Sequence, residues 1–166
     1  MTTPTPYLSG TAGGASRRER QAQQMESLLK KFADETPDVA AAVLVSRDGL
    51  RLMDSGVEKD WADPLAAAIS SMYALAGNVP SPTGERSPAQ LVFIERADGM
   101  LLLQAAGSSS FQGGSLGGAL QDTVLCVLAG PRADVGTTTH EMQRLVTRFG
   151  AYMDVPVRAA TNADAS

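Results

Sequence analysis

Apolar residues run almost without interruption through Val39–Ser46, and the rest of the pattern is arranged around this run. It is rich in Ala and Val, long enough for a strand and too short for a typical helix. An Asp-Gly dipeptide follows at 48–49, which between two apolar runs is a strong hairpin signal. Leu50 and Leu52 then alternate with Arg51, the period of a strand with one face toward the core. We predict a hairpin whose first strand is central and covered on both faces, and whose second lies nearer an edge.

Two of three amphipathic helices are predicted at the ends of the domain. Apolar residues at helical spacing indicate a first helix over roughly 18–34, which Pro37 separates from the first strand. A similar stripe after Asp134, a suitable N-cap, predicts a last helix to about residue 153.

The middle helix follows the hairpin. Asp63 before Pro64 suits an N-cap and first-turn pair, although Asp60 could cap one turn earlier. Its small residues, Ala and Ser, would let another backbone approach closely. Its apolar stripe comprises Trp61, Leu65, Ala68, Ile69, Met72 and Ala76.

The remaining pattern completes a sheet. A second Asp-Gly signal separates the strand candidates 89–96 and 100–106, and the apolar run Asp122–Ala129 predicts a fifth strand. Between them, the Gly/Ser-rich residues 107–121 predict a flexible connection. The order α-β-β-α-β-β-β-α indicates an α/β (α+β) fold, a three-layer α/β/α sandwich around a five-stranded, mostly antiparallel sheet.

Length and composition indicate one domain of modest acidity. The 166 residues suit a single domain over 17–154, with a disordered tail at 1–16 and a loose tail at 155–166. The net charge of −4 and the 5% aromatic content argue against a nucleic-acid binder, which would show a basic stripe and stacking side chains. No apolar run is long enough for a membrane span, and a secretory signal is not expected. The single cysteine, Cys126, has the setting of a buried small hydrophobe, which fits a cytoplasmic protein.

Candidate chemistry is sparse. His140 is the one histidine and is expected to be exposed on the last helix; one His and one Cys cannot supply a tetrahedral zinc site. The Gly-rich stretch 107–118 lacks the Gly-Lys-Ser/Thr ending of a phosphate loop, and a strand follows it instead of a helix. We therefore expect no catalytic residues, no metal and no cofactor, and a protein that acts through its surfaces.

Three stretches carry a resemblance to a known family: VAAAVLVSRDGLRLMDS at 39–55, WADPLAA at 61–67, and DVG at 134–136. Together with the order of elements over about 22–153, they resemble the roadblock / dynein light-chain 7 domain. The similarity is greatest to bacterial single-domain members encoded beside a Ras-like GTPase and a sensor-kinase-like protein, in the actinobacterial gene clusters called conservons. The chain departs from the family pattern in the longer, more glycine-rich segment at 107–121.

The resemblance implies a five-stranded antiparallel sheet between one helix on one face and two on the other. It also implies a non-catalytic homodimer that joins sheets edge to edge, packs the middle helices together, and regulates or scaffolds a small Ras-like GTPase in a bacterial signalling complex. Partners implied are a second copy, that GTPase and a sensor-kinase-like protein, with recruitment to the membrane only through partners.

On the middle helix and the third strand, the residues expected at a dimer or partner interface are Trp61, Leu65, Ile69, Met72, Tyr73, Leu91 and Phe93. The same helix residues could instead cover their own sheet. A small-molecule sensing module is the competing function, since sheet-and-helix domains of this size often hold ligands.

Overall fold

A five-stranded antiparallel sheet forms the middle layer of the molecule, in the strand order β2-β1-β5-β4-β3. The computed structural model describes residues 12–109 and 121–152. The order of elements and the antiparallel pairing confirm the predicted fold class. In chain order the elements are α1 (Ala12–Glu35), β1 (Val39–Ser46), β2 (Arg51–Asp54), α2 (Lys59–Asn78), β3 (Leu91–Arg96), β4 (Gly99–Ser109), β5 (Gln121–Ala129) and α3 (Val135–Phe149).

Strand β1 lies inside the sheet, between β2 and β5, and both of its faces are apolar. Ala42 and Leu44 contribute to the core beneath α1 and α3, whereas Val43 and Val45 contribute to the core beneath α2. All four side chains are completely buried. Alternate side chains of a strand point to opposite faces, so a run without polar residues is what a strand covered on both sides requires.

Two helices cover one face of the sheet and one helix covers the other. α1 packs on β1 and β2 through Met25 and Leu29, and α3 packs beside it on β4 through Met142 and Phe149. The opposite face carries α2 alone. This gives the three layers that the element order predicts, with separate cores above and below the sheet.

Both terminal helices differ from their predicted bounds. α1 begins at Ala12 and not near residue 18, so part of the predicted N-terminal tail is helical. Adding residues to an existing helix costs much less free energy than starting a helix. The amphipathic part of α1 can therefore extend into preceding residues with low helix propensity. α3 ends at Phe149 and not near 153, because Ala151 and Tyr152 donate to carbonyls three residues earlier and continue the chain as a tighter turn. Residues 1–11 and the C-terminal tail lie outside the described residues.

The second strand is an edge strand, as predicted, and Leu52 packs on the core, but Leu50 does not. Leu50 precedes β2 and is 45% exposed, whereas Met53 is buried. A shift of register between Leu44 and Val45 of β1 changes which β2 side chains face the core. The alternation of apolar and polar residues in so short a strand does not reveal such a bulge.

The hairpin between β4 and β5 is longer than predicted. Residues 107–109 belong to β4, Gln121 opens β5, and Ser108 pairs with Asp122. Backbone pairing does not need apolar side chains, so the ladder continues into a segment whose composition indicates a flexible connection. The predicted connection at 107–121 is therefore too long at both ends, and residues 110–120 lie outside the described part of the chain.

Candidate interaction surface

Helix α2 begins one turn earlier than its cap-like residues suggest. Its first residue is Lys59 and its N-cap is Glu58, whose side chain caps no backbone N–H. Asp63 and Pro64 therefore lie inside the helix. Asp63 instead accepts a hydrogen bond from Arg51 Nε of β2 at 3.1 Å, so its carboxylate joins the helix to the neighbouring strand.

The predicted α2 stripe divides between two directions. Ala62, Ala66 and Ile69 are completely buried against the sheet, whereas Trp61 is 47% exposed and Ala68 is exposed. The small side chains of Ala62 and Ala66 let α2 pack close to the sheet. The larger apolar residues of the helix face to one side of this contact. The sequence prediction merged these two directions into one face.

The sideways direction forms a continuous apolar line, which we call the α2 stripe. Leu65 and Met72 are half-buried on it, while Leu75 and Val79 are 67% and 66% exposed. Steps of four and three residues alternate along the line, which is the spacing of helices that pack against other helices. The members of the α2 stripe are Trp61, Leu65, Ala68, Met72, Leu75 and Val79.

Strand β3 lies beside the part of the sheet that α2 does not reach. It is the last strand of the sheet and pairs only with β4 among the described strands. On the face of α1 and α3, Leu91 and Phe93 are 40% and 42% exposed; on the α2 face, Val92 and Ile94 are half-buried. An edge strand with apolar residues on both faces is a ready template for another strand.

Tyr73 has a different position from the other predicted interface residues. Its hydroxyl donates a hydrogen bond to the backbone carbonyl of Ala89, which ties α2 to the segment that leads into β3. Burial raises the pKa of Tyr73 above its ordinary value. Ile69 is likewise turned to the core. The structure thus places Trp61, Leu65 and Met72 on the α2 stripe, with Leu91 and Phe93 on the edge strand.

Leu75 and Val79 are the surface residues that the sequence prediction omitted. Both continue the four-and-three spacing that begins at Trp61. Searching that spacing separately from the core-facing stripe would have found Leu75 inside the predicted helix. Val79 was harder to assign, because it follows the last helical residue as the C-cap.

The described residues offer little reactive chemistry. Within 12–109 and 121–152, no group of three or more His, Cys, Asp or Glu side chains is arranged to hold a metal ion. His140 is exposed, as predicted. Cys126 is buried, and burial raises the pKa of its thiol to about 12. A thiol with that pKa stays protonated and unreactive at neutral pH.

Membrane-spanning character is also missing from the helices that the structure describes. In none of them do length and apolar content together suffice to cross a bilayer.

Comparison with known proteins places this geometry in a family. The Roadblock/LC7 domain model matches residues 25–111. A Roadblock/LC7 domain from Streptomyces avermitilis is 30% identical, with a TM-score of 0.64 over 76% of this chain and 95% of that one. No curated protein matches significantly.

More distant structures share the fold. MglB of Myxococcus xanthus is 14% identical, with a TM-score of 0.60 over 93% of this chain and all of that one. The gliding protein MglB of Thermus thermophilus is 17% identical, with a TM-score of 0.61 over 92% of this chain and 98% of that one. The chain belongs to the Roadblock/LC7 domain family.

Proposed function

We propose that the chain is a non-catalytic homodimer that binds a small Ras-like GTPase and regulates or anchors it. The observation that carries the proposal is the α2 stripe lying beside an unpaired edge strand. Membership of the Roadblock/LC7 family supports the same reading, because the family resemblance implies platforms for small GTPases. Exposed apolar surfaces of this kind often bind other proteins.

Two features of one protomer suit a second copy. Strand β3 can pair with its copy across a two-fold axis, which would join the two sheets into one. At Ala68 the α2 stripe has a methyl side chain between Leu65 and Met72, so two α2 helices could cross there closely. The same axis would bring both pairs of surfaces into contact. A self-complementary patch of this kind is what a two-fold dimer requires.

The partners we propose follow the bacterial, conservon-type members that the sequence resembles. They are a Ras-like GTPase and a sensor-kinase-like protein encoded beside this chain in an actinobacterium. The 30% identity to a Streptomyces domain supports an actinobacterial setting. In this proposal the protein is cytoplasmic, contacts the membrane only through those partners, and binds no nucleic acid.

Sedimentation velocity and pull-down of the neighbouring GTPase test the two parts of the proposal. The wild type is expected to sediment as a dimer and to retain the GTPase in a nucleotide-dependent way. Leu75→Glu should give a monomer, because it places a charge in the apolar contact proposed between the two α2 helices. Folding should be unaffected, since Leu75 is largely exposed within one chain. Gln24→Glu, a change at another exposed helical position, on α1, is the matched control.

A wild-type monomer at all accessible concentrations would contradict the homodimer. Retention of no GTPase in either nucleotide state would contradict the regulatory role, whatever the oligomeric state. A Leu75→Glu protein that still forms the wild-type dimer would place the interface elsewhere.

A further inference from the structure

A cavity of about 420 Å³ lies at one end of the sheet, beneath the C-terminal half of α2. Its floor is formed by the end of β4 and the start of β5, including Ala105 and Val124. The segment 86–89, which leads into β3, closes one side. No residue of the α2 stripe lines it. The cavity is therefore separate from the surface proposed for the dimer.

The cavity is open because small residues line it from two directions. Ala74 and Gly77 face it from α2, Ala105 and Gly107 from β4. Gly107 has a φ of +87° and lies where the register of β4 with β5 shifts. A bulge changes the direction of the strand locally. Because Gly107 has no side chain, the space beside it stays unfilled.

The charge of the lining is positive. Arg47 and Arg86 contribute two guanidinium groups, and Asp122 is the one acidic residue among the lining residues. Arg47 Nη1 lies 3.0 Å from Asp122 Oδ2, so this pair neutralises itself. Arg86 forms no ion pair with any residue that the structure describes. The uncompensated charge at the cavity is that of Arg86.

Two hydroxyl groups on the cavity lining have their protons directed into the protein. Thr123, which is 2% exposed, donates to the carbonyl of Gly107 at 2.8 Å. Tyr73 donates to Ala89. The oxygen of Tyr73 keeps a lone pair for a ligand hydroxyl, and the neighbouring methyl groups of Ala74 and Ala105 offer apolar contact.

We propose that this cavity binds a small organic anion, whose carboxylate or phosphate pairs with Arg86 and whose body rests on Ala74, Ala105 and Val124. The volume is within the range of sites for small ligands. A guanidinium group matches the two oxygens of such an anion. The proposal does not rest on GTPase binding, and it gives the competing ligand-sensing function a specific location.

Nuclear magnetic resonance titration of the full chain tests the proposal with three probes of similar size: benzoate, phenyl phosphate and neutral benzamide. At least one anion is expected to cause saturable shifts of the backbone amide signals of Ala74, Gly77, Ala89 and Ala105. Benzamide should bind about tenfold more weakly, because it cannot form the ion pair. Comparing benzoate with phenyl phosphate distinguishes a carboxylate site from a phosphate site.

Two charge variants should have opposite effects on the affinity for the preferred anion. Arg86→Gln should weaken binding about tenfold, and Asp122→Asn should strengthen it severalfold by removing the one acidic group. Arg132→Gln is the matched control; it lies beyond the opposite end of β5 and should leave the affinity unchanged. Ala105→Leu should abolish the shifts by filling the cavity.

The proposal fails if no anion causes saturable shifts of these signals up to about 10 mM, a concentration that would detect even a weak site. Equal shifts with benzamide, or an unchanged affinity in Arg86→Gln, would also overturn it. Because the dimer and the GTPase are measured by sedimentation and pull-down, neither result depends on the outcome of this titration.

Discussion

At the scale of single residues, the contact between Asp38 and Gly130 joins two turns that are far apart in the chain. Asp38 has a left-handed φ of +60°, and its carbonyl accepts the N–H of Gly130 at 2.7 Å. Its carboxylate accepts the N–H of Arg132 at 3.0 Å. The α1–β1 turn is thereby fixed to the β5–α3 turn. A Cβ at Gly130 would lie 2.7 Å from the Asp38 carboxylate.

Gly130→Ala is accordingly expected to lower the free energy of unfolding by about 1–3 kcal/mol, because the carboxylate must leave Arg132 to make room. Urea denaturation measures the effect. Gly136→Ala is the control, since a Cβ there meets its nearest neighbour at an ordinary 3.4 Å. It should change the stability by no more than about 0.5 kcal/mol.

Adding Asp38→Gly should remove most of the cost of Gly130→Ala, because glycine adopts a positive φ freely and offers no carboxylate to clash with. Strictly additive effects of the two changes would show that the contact is not the cause.

At the scale of elements, the connection between β2 and α2 is held by one partly buried carboxylate, that of Asp54. Asp54 Oδ1 accepts the N–H groups of Gly56 and Val57 at 2.8 and 2.7 Å, and its other oxygen pairs with Arg51. Arg51 in turn reaches Asp63 of α2. Burial acts to raise the pKa of Asp54, but these hydrogen bonds and the guanidinium outweigh burial and hold the pKa below its ordinary 3.8.

Because the folded-state pKa of Asp54 is depressed, its stabilising contribution is complete above pH 3.8 and disappears as the pH falls through the folded-state value. Asp54→Asn should therefore cost about 1 kcal/mol at pH 7 and progressively less below pH 3.8. Unfolding by urea at several pH values checks this. Asp63→Asn, on an exposed partner, should cost less than about 0.5 kcal/mol. A cost of Asp54→Asn that is the same at every pH would contradict the argument.

At the scale of the whole molecule, helices cover both faces of the sheet, but the outer edge of β3 is unpaired among the described strands. α1 and α3 together cover one face, but α2 alone covers the other and leaves the β3 side partly open. The α2 stripe borders that opening. A second copy joined at β3 and α2 would extend the sheet and cover the stripe in one step, which is why we place the dimer there.

Hydrogen–deuterium exchange of Leu91–Arg96 provides a direct test of the paired edge. In the wild type at high concentration, all β3 amides should exchange slowly, since neighbours on both sides would accept their hydrogen bonds. In Leu75→Glu, the amides that do not face β4 should exchange at least about tenfold faster. Equally fast exchange of those amides in the two proteins would mean that the outer edge of β3 pairs with no second copy in solution.

Much of the fold could be predicted from the sequence, because the features concerned depend on residues that are close together in the chain. Val39–Ser46 is apolar on both faces and is a covered strand. Asp134 was predicted as an N-cap, and its carboxylate accepts the N–H of Thr137. The Asp-Gly pairs mark turns, and Gly49 has the positive φ of +88° that its turn requires. Each of these features involves residues within one turn or one strand.

The sequence by itself determined the number, order and type of the elements and the interior place of β1, since periodicity and turn chemistry act over a few residues. Only the tertiary structure decided which side of α2 faces the sheet, where α2 begins, how far β4 and β5 pair, and that a positively lined cavity opens at their end. These outcomes depend on contacts between segments far apart in the chain. An alanine at 62 or 105 has no preferred partner until the sheet has formed beneath it.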